Sequence, residues 1–525
     1  MPSLVTLELA LLAGFVPLLP SLFMSRYFIV LRSHASDTIA AALAITLVLK
    51  WAGGRIRWNL NAGPVLMFVL VLYCSVTVSY AHDRVSALHR LILHFDWLVV
   101  TSAVFFSLRS KENIVGFLRW TAPGAAAVCI YGVWERLATG QTEISSTMGH
   151  TPLYGGYLIV MLFLFQCGME ISEKPGDKIL NSSIFALLLI NLFLCWSYAA
   201  LFFFVAGEGL LLTGGWKRSG AGAAALKAAF IALMLTVSFG LIFPWRNAGN
   251  VLNLKKKSAE LRLKLWKPTL DMIGERPLTG FGAGQYEVFI PRYREKAGEP
   301  PRGWEFNTRI RLPVVPENIV LALLAEQGVF GLLIFSGIFA WTFYTTAFHV
   351  KSDAGWKRRA AACLGWGAAA LLGYAMFHFP FHTPGVWGPA WIMVSLIWGL
   401  RDGEPKPPAP PGTQKRKRTA LKTSAALAAL SLSLYLLYLP VGRLVNDVRV
   451  NRGGIHAARG DLKGFRESFE NTMPLVPRTW RYYYNYGEGL LSFGKKDEAL
   501  AAFGKAVRFR PHSVIISRRM KQTAF

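Results

Sequence analysis

The chain is poor in charge for its length. Of its 525 residues, 17% are Asp, Glu, Lys or Arg, and only 30 are acidic. Soluble domains average about a quarter charged, so an ordinary water-facing fold is excluded at the outset. Cysteine is also scarce. Cys74, Cys129, Cys167, Cys195 and Cys363 lie in apolar sequence without paired spacing, which excludes a disulfide framework and a cysteine-based zinc site. No P-loop, HExxH or GxSxG occurs. The run Gly280-Phe281-Gly282-Ala283-Gly284 is glycine-rich but lacks the βαβ setting of a dinucleotide loop. Neither a metal nor a cofactor is expected.

What is abundant is apolar sequence, at 53% of residues. A membrane helix needs about 20 mostly apolar residues, and such runs recur at 4–23, 37–50, 62–80, 88–107, 114–137, 152–170, 180–196, 198–213, 226–245, 317–346, 360–379, 386–400 and 421–441. The expected fold is therefore all-α: a polytopic membrane helix bundle of about 12–13 transmembrane helices. The first run lacks a basic n-region and reads as a retained helix rather than a cleaved signal.

A formal charge of +27 would by itself suggest nucleic acid, but the positions of the basic residues argue otherwise. With the N-terminus inside, the predicted cytoplasmic loops hold Lys50, Arg55 and Arg57; Arg109 and Lys111; Lys351 and Lys357 to Arg359; and Lys415-Arg416-Lys417-Arg418. The opposite loops 138–150 and 380–385 have no Lys or Arg. This is the positive-inside bias of a multi-pass membrane protein, so no nucleic-acid partner is expected.

The expected organisation is an N-terminal transmembrane bundle (1–245), an external basic loop (246–315), a second transmembrane part (316–400), a basic Pro-rich linker with the last transmembrane helix (401–441), and a helical tail (442–525). The loop holds 14 Lys or Arg against 7 Asp or Glu. Long loops are exempt from the positive-inside rule, so this excess marks either a solvated surface or a site for anionic partners. In the tail, Gly460 and Gly494, Phe469 and Phe503, and Pro477 and Pro511 are each 34 residues apart. That period, with Ala499 and Phe503 in an Ala-x3-Phe segment, resembles the tetratricopeptide repeat. About three such repeats are normally needed for stability, so two copies imply support from the membrane domain or a protein partner. An odd number of spans puts the tail outside, beside the loop.

Four segments share a further pattern. Arg262 and Trp266 stand in Arg-x-x-x-Trp spacing. Pro277 opens the turn Pro277-Leu278-Thr279-Gly280-Phe281-Gly282-Ala283-Gly284. Pro316-Glu317-Asn318 precedes an apolar run, and Glu326-Gln327-Gly328-Val329-Phe330-Gly331 follows within it. Over roughly residues 260–331 this order resembles the core of the O-antigen ligase and polymerase superfamily, bacterial polytopic membrane glycosyltransferases. Met148-Gly149-His150-Thr151-Pro152 is similar to the segment opening that family's sixth span. Two positions depart from the pattern: Glu317 stands where the family places a His before Asn, and Ser197-Tyr198 where many members carry Ser-Arg.

The resemblance implies metal-independent glycosyl transfer, without cofactor, from an undecaprenyl-diphosphate-linked oligosaccharide to a glycolipid or protein acceptor. It places the enzyme in the bacterial inner membrane with loop and tail periplasmic. A lipid A-core acceptor defines a ligase, another repeat unit a polymerase, and a protein hydroxyl an oligosaccharyltransferase. A reading from another class is a catalytically inactive polysaccharide-binding or lipid-linked glycan transport protein. A transporter should line a midplane cavity with charge, whereas here charge gathers in one external loop.

Such transfer needs a base for the acceptor hydroxyl and cations for the leaving diphosphate. Glu317 with Asn318 is the candidate catalytic pair, although an acid after Pro316 also suits a helix start. Arg262, Arg276, Arg309, Arg311 and Arg90 are the candidate diphosphate ligands, since Arg grips phosphate through two N–H groups. Glu326, His378 and His382 are candidate supporting residues. Glu326 lies nine residues beyond Glu317, about 13 Å along and half a turn around a straight helix, so the two would not share one small site unless the helix kinks. His94 and Asp96 form another polar cluster with His89 and Arg90.

Overall fold

The computed structural model describes residues 3–19, 28–53, 56, 61–141, 143–215, 248–296, 316–352, 355–383, 385–401 and 417–524. The expected span 226–245 and the candidates Arg309 and Arg311 lie outside the described residues. Among the described residues the chain is helical with no strand. The helices are α1 (Leu4–Ala10), α2 (Phe28–Ala52), α3 (Ala62–Tyr80), α4 (Arg84–Ser107), α5 (Lys111–Thr139), α6 (Thr151–Ile171), α7 (Pro175–Leu194), α8 (Tyr198–Gly215), α9 (Ala248–Glu275), α10 (Tyr286–Lys296), α11 (Ile319–Ser352), α12 (Trp356–Ala375), α13 (Trp387–Arg401), α14 (Lys417–Ala458), α15 (Leu462–Glu470), α16 (Trp480–Ser492), α17 (Lys496–Phe509) and α18 (Val514–Ala524).

Eight described helices are long and apolar enough to cross a membrane, and the stretches Leu4–Leu18 and Tyr198–Leu211 are shorter apolar helices. The protein is an all-α polytopic membrane bundle. Exposure tells the same story as length: α3 leaves Phe68, Leu72 and Val76 uncovered. These recur at helical spacing on one face, where a soluble protein would place polar side chains and a lipid-facing helix places apolar ones.

The chain divides into two compact units, each assembled from three segments. The first comprises Met1–Phe68, Asp96–Ser258 and Phe335–Tyr435. Its central helix is α6, apolar on every side and accordingly buried almost all round. Small residues let its neighbours approach: a Cβ on Gly155 would sit 2.9 Å from Ala200 Cβ, and one on Gly367 of α12 2.6 Å from the Phe163 side chain. Its polar groups are paired inside the bundle, with Tyr154 Oη donating to Asn191 Oδ1 at 2.8 Å and Gln166 Nε2 to Glu208 Oε2 at 3.1 Å. The break between α7 and α8 falls at Cys195–Ser197, where Trp196 adopts φ 54° and Ser197 Oγ accepts the Ala200 N–H at 3.4 Å.

The second unit comprises Val69–Phe95, Ala259–Ile334 and Leu436–Phe525. It has two apolar cores. One joins Met272, Phe281, Tyr286, Ile290, Tyr293 and Ala325. The other lies in the tail and joins Phe465, Phe469, Leu490, Ala499, Phe503, Ala506 and Ile516. In the tail core, Gly487 of α16 admits the Phe503 ring of α17, which a Cβ would meet at 2.6 Å. The expected span 421–441 is the apolar part of one 42-residue helix, α14. Hydropathy ends near Leu439-Pro440, but the residues after it remain good helix formers, so the helix continues to Ala458.

Candidate active site

The second unit is organised around a break in α11. Gly328 has φ 65° and ψ −166° in the middle of this helix, a region of backbone space open essentially to glycine alone. A break frees carbonyls on one side and N–H groups on the other, and in an apolar setting each must find a partner. The glycine-rich turn supplies all four. Phe281 N–H donates to the Ala325 carbonyl at 3.0 Å and Gly282 N–H to the Glu326 carbonyl at 2.8 Å. Val329 N–H donates to Pro277 O at 2.9 Å and Phe330 N–H to Leu278 O at 3.3 Å. Gly280, at φ 65°, brings its backbone so close that a Cβ would lie 2.5 Å from the Glu326 carbonyl carbon. The two glycine motifs noted in the sequence are thus the two halves of one hydrogen-bonded joint.

Helices α3 and α4 clamp this joint. Tyr73 Oη donates to Gln327 O at 2.7 Å, and Tyr80 Oη to Thr279 O at 2.9 Å. Thr77 Oγ1 accepts from Ala283 N–H at 3.2 Å. The Gln285 side chain brackets Asp83, accepting its N–H and donating to its carbonyl, both at 2.9 Å. Asp83 Oδ1 in turn caps α4 through the N–H groups of Val85 and Ser86.

At the head of α11, Pro316-Glu317-Asn318 is held from α9. Arg262 and Trp266 are one helical turn apart and so share a face. Arg262 Nε lies 3.2 Å from Glu317 Oε2, and Trp266 Nε1 donates to the Pro316 carbonyl at 3.0 Å. Asn318 is the N-cap: its Oδ1 accepts the Leu321 N–H at 3.0 Å. Glu317 lies before the helix with φ 51°, an uncommon conformation for a residue with a Cβ. Its side chain retains 20% exposure beside an arginine. Burial pushes the Glu317 carboxyl above its usual range, and the adjacent Arg262 pulls it back in part. The arrangement is a partly shielded, cation-paired carboxylate on a rigid ledge, chemically able to accept a proton.

The straight-helix geometry expected for Glu317 and Glu326 does not hold, because the helix begins at Ile319 and breaks at Gly328. Glu326 sits at the break. Its Oε2 lies 3.5 Å from Arg90 Nε and its Oε1 accepts the Tyr286 N–H at 3.4 Å, with the residue 5% exposed. Arg90, a diphosphate candidate by sequence, is therefore joined to Glu326. His94 is fully buried, with Nδ1 2.7 Å from the Arg90 carbonyl and Nε2 3.3 Å from Gln327 Nε2. Arg276 is exposed on the turn with its guanidinium 4.9 Å from the Phe281 ring centroid.

The second unit thus brings together two carboxylate–arginine pairs, Glu317 with Arg262 and Glu326 with Arg90, along with Arg276. His378 and His382 belong to the first unit, where His378 packs on Tyr374 with centroids 4.5 Å apart and His382 on Trp97 at 5.5 Å. Sequence reasoning missed Gln285, Gln327 and Tyr73 as parts of the joint. The one available signal was a polar side chain in or beside an apolar run; their partners lie far along the chain.

The fold and site define a multi-pass α-helical membrane protein whose broken helix embraces a glycine turn beside acid–arginine pairs. Residues 183–336 match the family model for O-antigen ligase, and this part of the chain belongs to the O-antigen ligase and polymerase superfamily, a family of glycosyltransferase-type membrane enzymes. The matched region holds Arg262, Arg276, Glu317, Glu326 and the whole turn. No curated protein matches the chain.

Proposed function

We propose that this protein transfers a glycan from an undecaprenyl-diphosphate carrier to a hydroxyl acceptor at the periplasmic face of a bacterial inner membrane, with Glu317 as general base. The observation that carries the reading is the Arg262–Glu317 pair at the head of α11, within the region matching the O-antigen ligase family. The acceptor hydroxyl gives its proton to the Glu317 carboxylate as its oxygen bonds to the anomeric carbon. The bond from that carbon to the diphosphate oxygen breaks, and undecaprenyl diphosphate leaves with the electron pair. Arg276 on the exposed turn, with Arg262, Arg309, Arg311 and Arg90, supplies the cations that balance the developing charge. A lipid A-core hydroxyl is the first acceptor proposed, because the matching family is described as O-antigen ligase; a repeat-unit or protein hydroxyl would undergo the same bond changes. Deleting the gene and comparing glycolipid, polysaccharide and glycoprotein profiles distinguishes the three, and no change in any profile would overturn the proposal.

The Arg262 contact makes a signed prediction about pH. A base works only when ionised, and Arg262 favours the ionised form of Glu317 while burial opposes it. In Arg262→Gln burial acts alone, so the carboxyl holds its proton to higher pH. The acid limb of the kcat profile should move upward in pH relative to wild type, with recovery at more alkaline pH. A limb that stays in place would separate Glu317 from the pH-dependent step.

A further inference from the structure

The end of the tail touches both elements that frame Glu326. Arg510 donates from Nη2 to Glu287 Oε2 at 2.8 Å, and its side chain is 7% exposed. The Arg508 carbonyl lies 3.0 Å from His82 Nε2, and His512 packs on Phe289 with ring centroids 6.1 Å apart. These contacts land on particular neighbours. Glu287 follows Tyr286, whose N–H reaches the Glu326 carboxylate. Phe289 rests on Phe281 of the glycine turn at 4.7 Å between centroids. His82 precedes Asp83, which caps the helix carrying Arg90. The Arg510 guanidinium also lies 5.6 Å from the centroid of the Trp480 ring, which ties it to the start of α16.

We infer that Arg510 is a positioning residue: by latching the tail to Glu287 it holds α10 and the glycine turn in the break of α11, and so sets the Glu326–Arg90 pair. A largely buried, charge-assisted bond suits this task, because losing one partner leaves the other charge poorly solvated and the short helix α10 loses its fixed end. The latch ties the tail to the core of the unit across 223 residues of sequence, so the tail is a working part of the site and not an appendage. The kinetic consequence rests on the glycosyl-transfer reading; the mechanical consequence does not.

The test uses the full-length chain in detergent, comparing wild type with Arg510→Ala, Arg510→Lys, Glu287→Gln and the exchanged pair Arg510→Glu with Glu287→Arg. Hydrogen exchange at the Phe281, Gly282 and Tyr286 amides should speed up by about tenfold in Arg510→Ala and Glu287→Gln, as expected if local opening becomes easier. Exchange should return toward wild type in Arg510→Lys and the exchanged pair. In transfer assays kcat should fall by about tenfold with acceptor KM within about twofold, the pattern of a displaced rather than missing group. Unchanged exchange overturns the latch whatever the activity. Faster exchange with unchanged kcat, in a preparation where Glu317→Gln is inactive, overturns the positioning role alone. If Glu317→Gln is fully active, the base assignment fails while the exchange result still decides the latch.

Discussion

Glu317→Gln is expected to lower the rate of glycan transfer by about 10²–10⁴-fold, the usual contribution of a positioned general base. Gln keeps the size of the side chain and can still face Arg262, so the ledge formed by Trp266, Pro316 and the Asn318 cap should persist. What disappears is the ability to take the acceptor proton. The loss should therefore appear in kcat, with amounts of folded protein and acceptor KM close to wild type. Glu317→His restores the residue that the resembling family places before Asn and should recover part of the activity, since a neutral imidazole is also a base. Complementation of a deletion strain by Glu317→Ala at wild-type level would sink the assignment.

Gly328→Ala should be the most damaging single substitution in the second unit, because it attacks the joint itself. A Cβ at this position would overlap the Leu278 carbonyl and lie 2.5 Å from the Thr279 nitrogen. Those are backbone atoms of the inserted turn and cannot swing aside. Holding a residue with a Cβ at this backbone conformation costs about 1–3 kcal/mol. Pushing the turn out also strains the Val329 and Phe330 hydrogen bonds, each worth about 0.5–1.5 kcal/mol. The combined loss is on the order of 5 kcal/mol, comparable with the whole stability of many domains. Folded yield and the detergent melting midpoint should fall sharply. Gly331→Ala is the control: its Cβ would meet the flexible Gln327 side chain rather than backbone, so its effect should be milder. Equal behaviour of the two variants would contradict the joint.

Much of the fold was legible because hydropathy is a local property. Expected runs at 62–80 and 152–170 correspond to α3 and α6, Ala62–Tyr80 and Thr151–Ile171, and the break at Ser197-Tyr198 falls between α7 and α8. The end of α14 was not legible. Hydropathy reports where a helix leaves an apolar environment, whereas the helix itself continues for as long as its backbone bonds are satisfied. The candidate site was legible as residue types: acids, arginines and glycines in a recognisable order. Their pairing was not, since Glu317 meets Arg262 and Glu326 meets Arg90 across long stretches of chain. His94 illustrates the same limit, with Gln327, 233 residues away, beside its ring.

By itself, then, the amino-acid sequence determined that the chain is an all-α membrane bundle and that its chemistry-bearing residues cluster around 260–331. Burial of about 20 apolar residues in lipid and the special backbone freedom of glycine act within a few residues of themselves. Only the tertiary structure decided that α11 is broken at Gly328, that the turn 277–284 fills the break, and that Arg510 of the tail reaches Glu287. Those outcomes depend on backbone groups freed in one segment being satisfied by another, and no local pattern records which segment that will be.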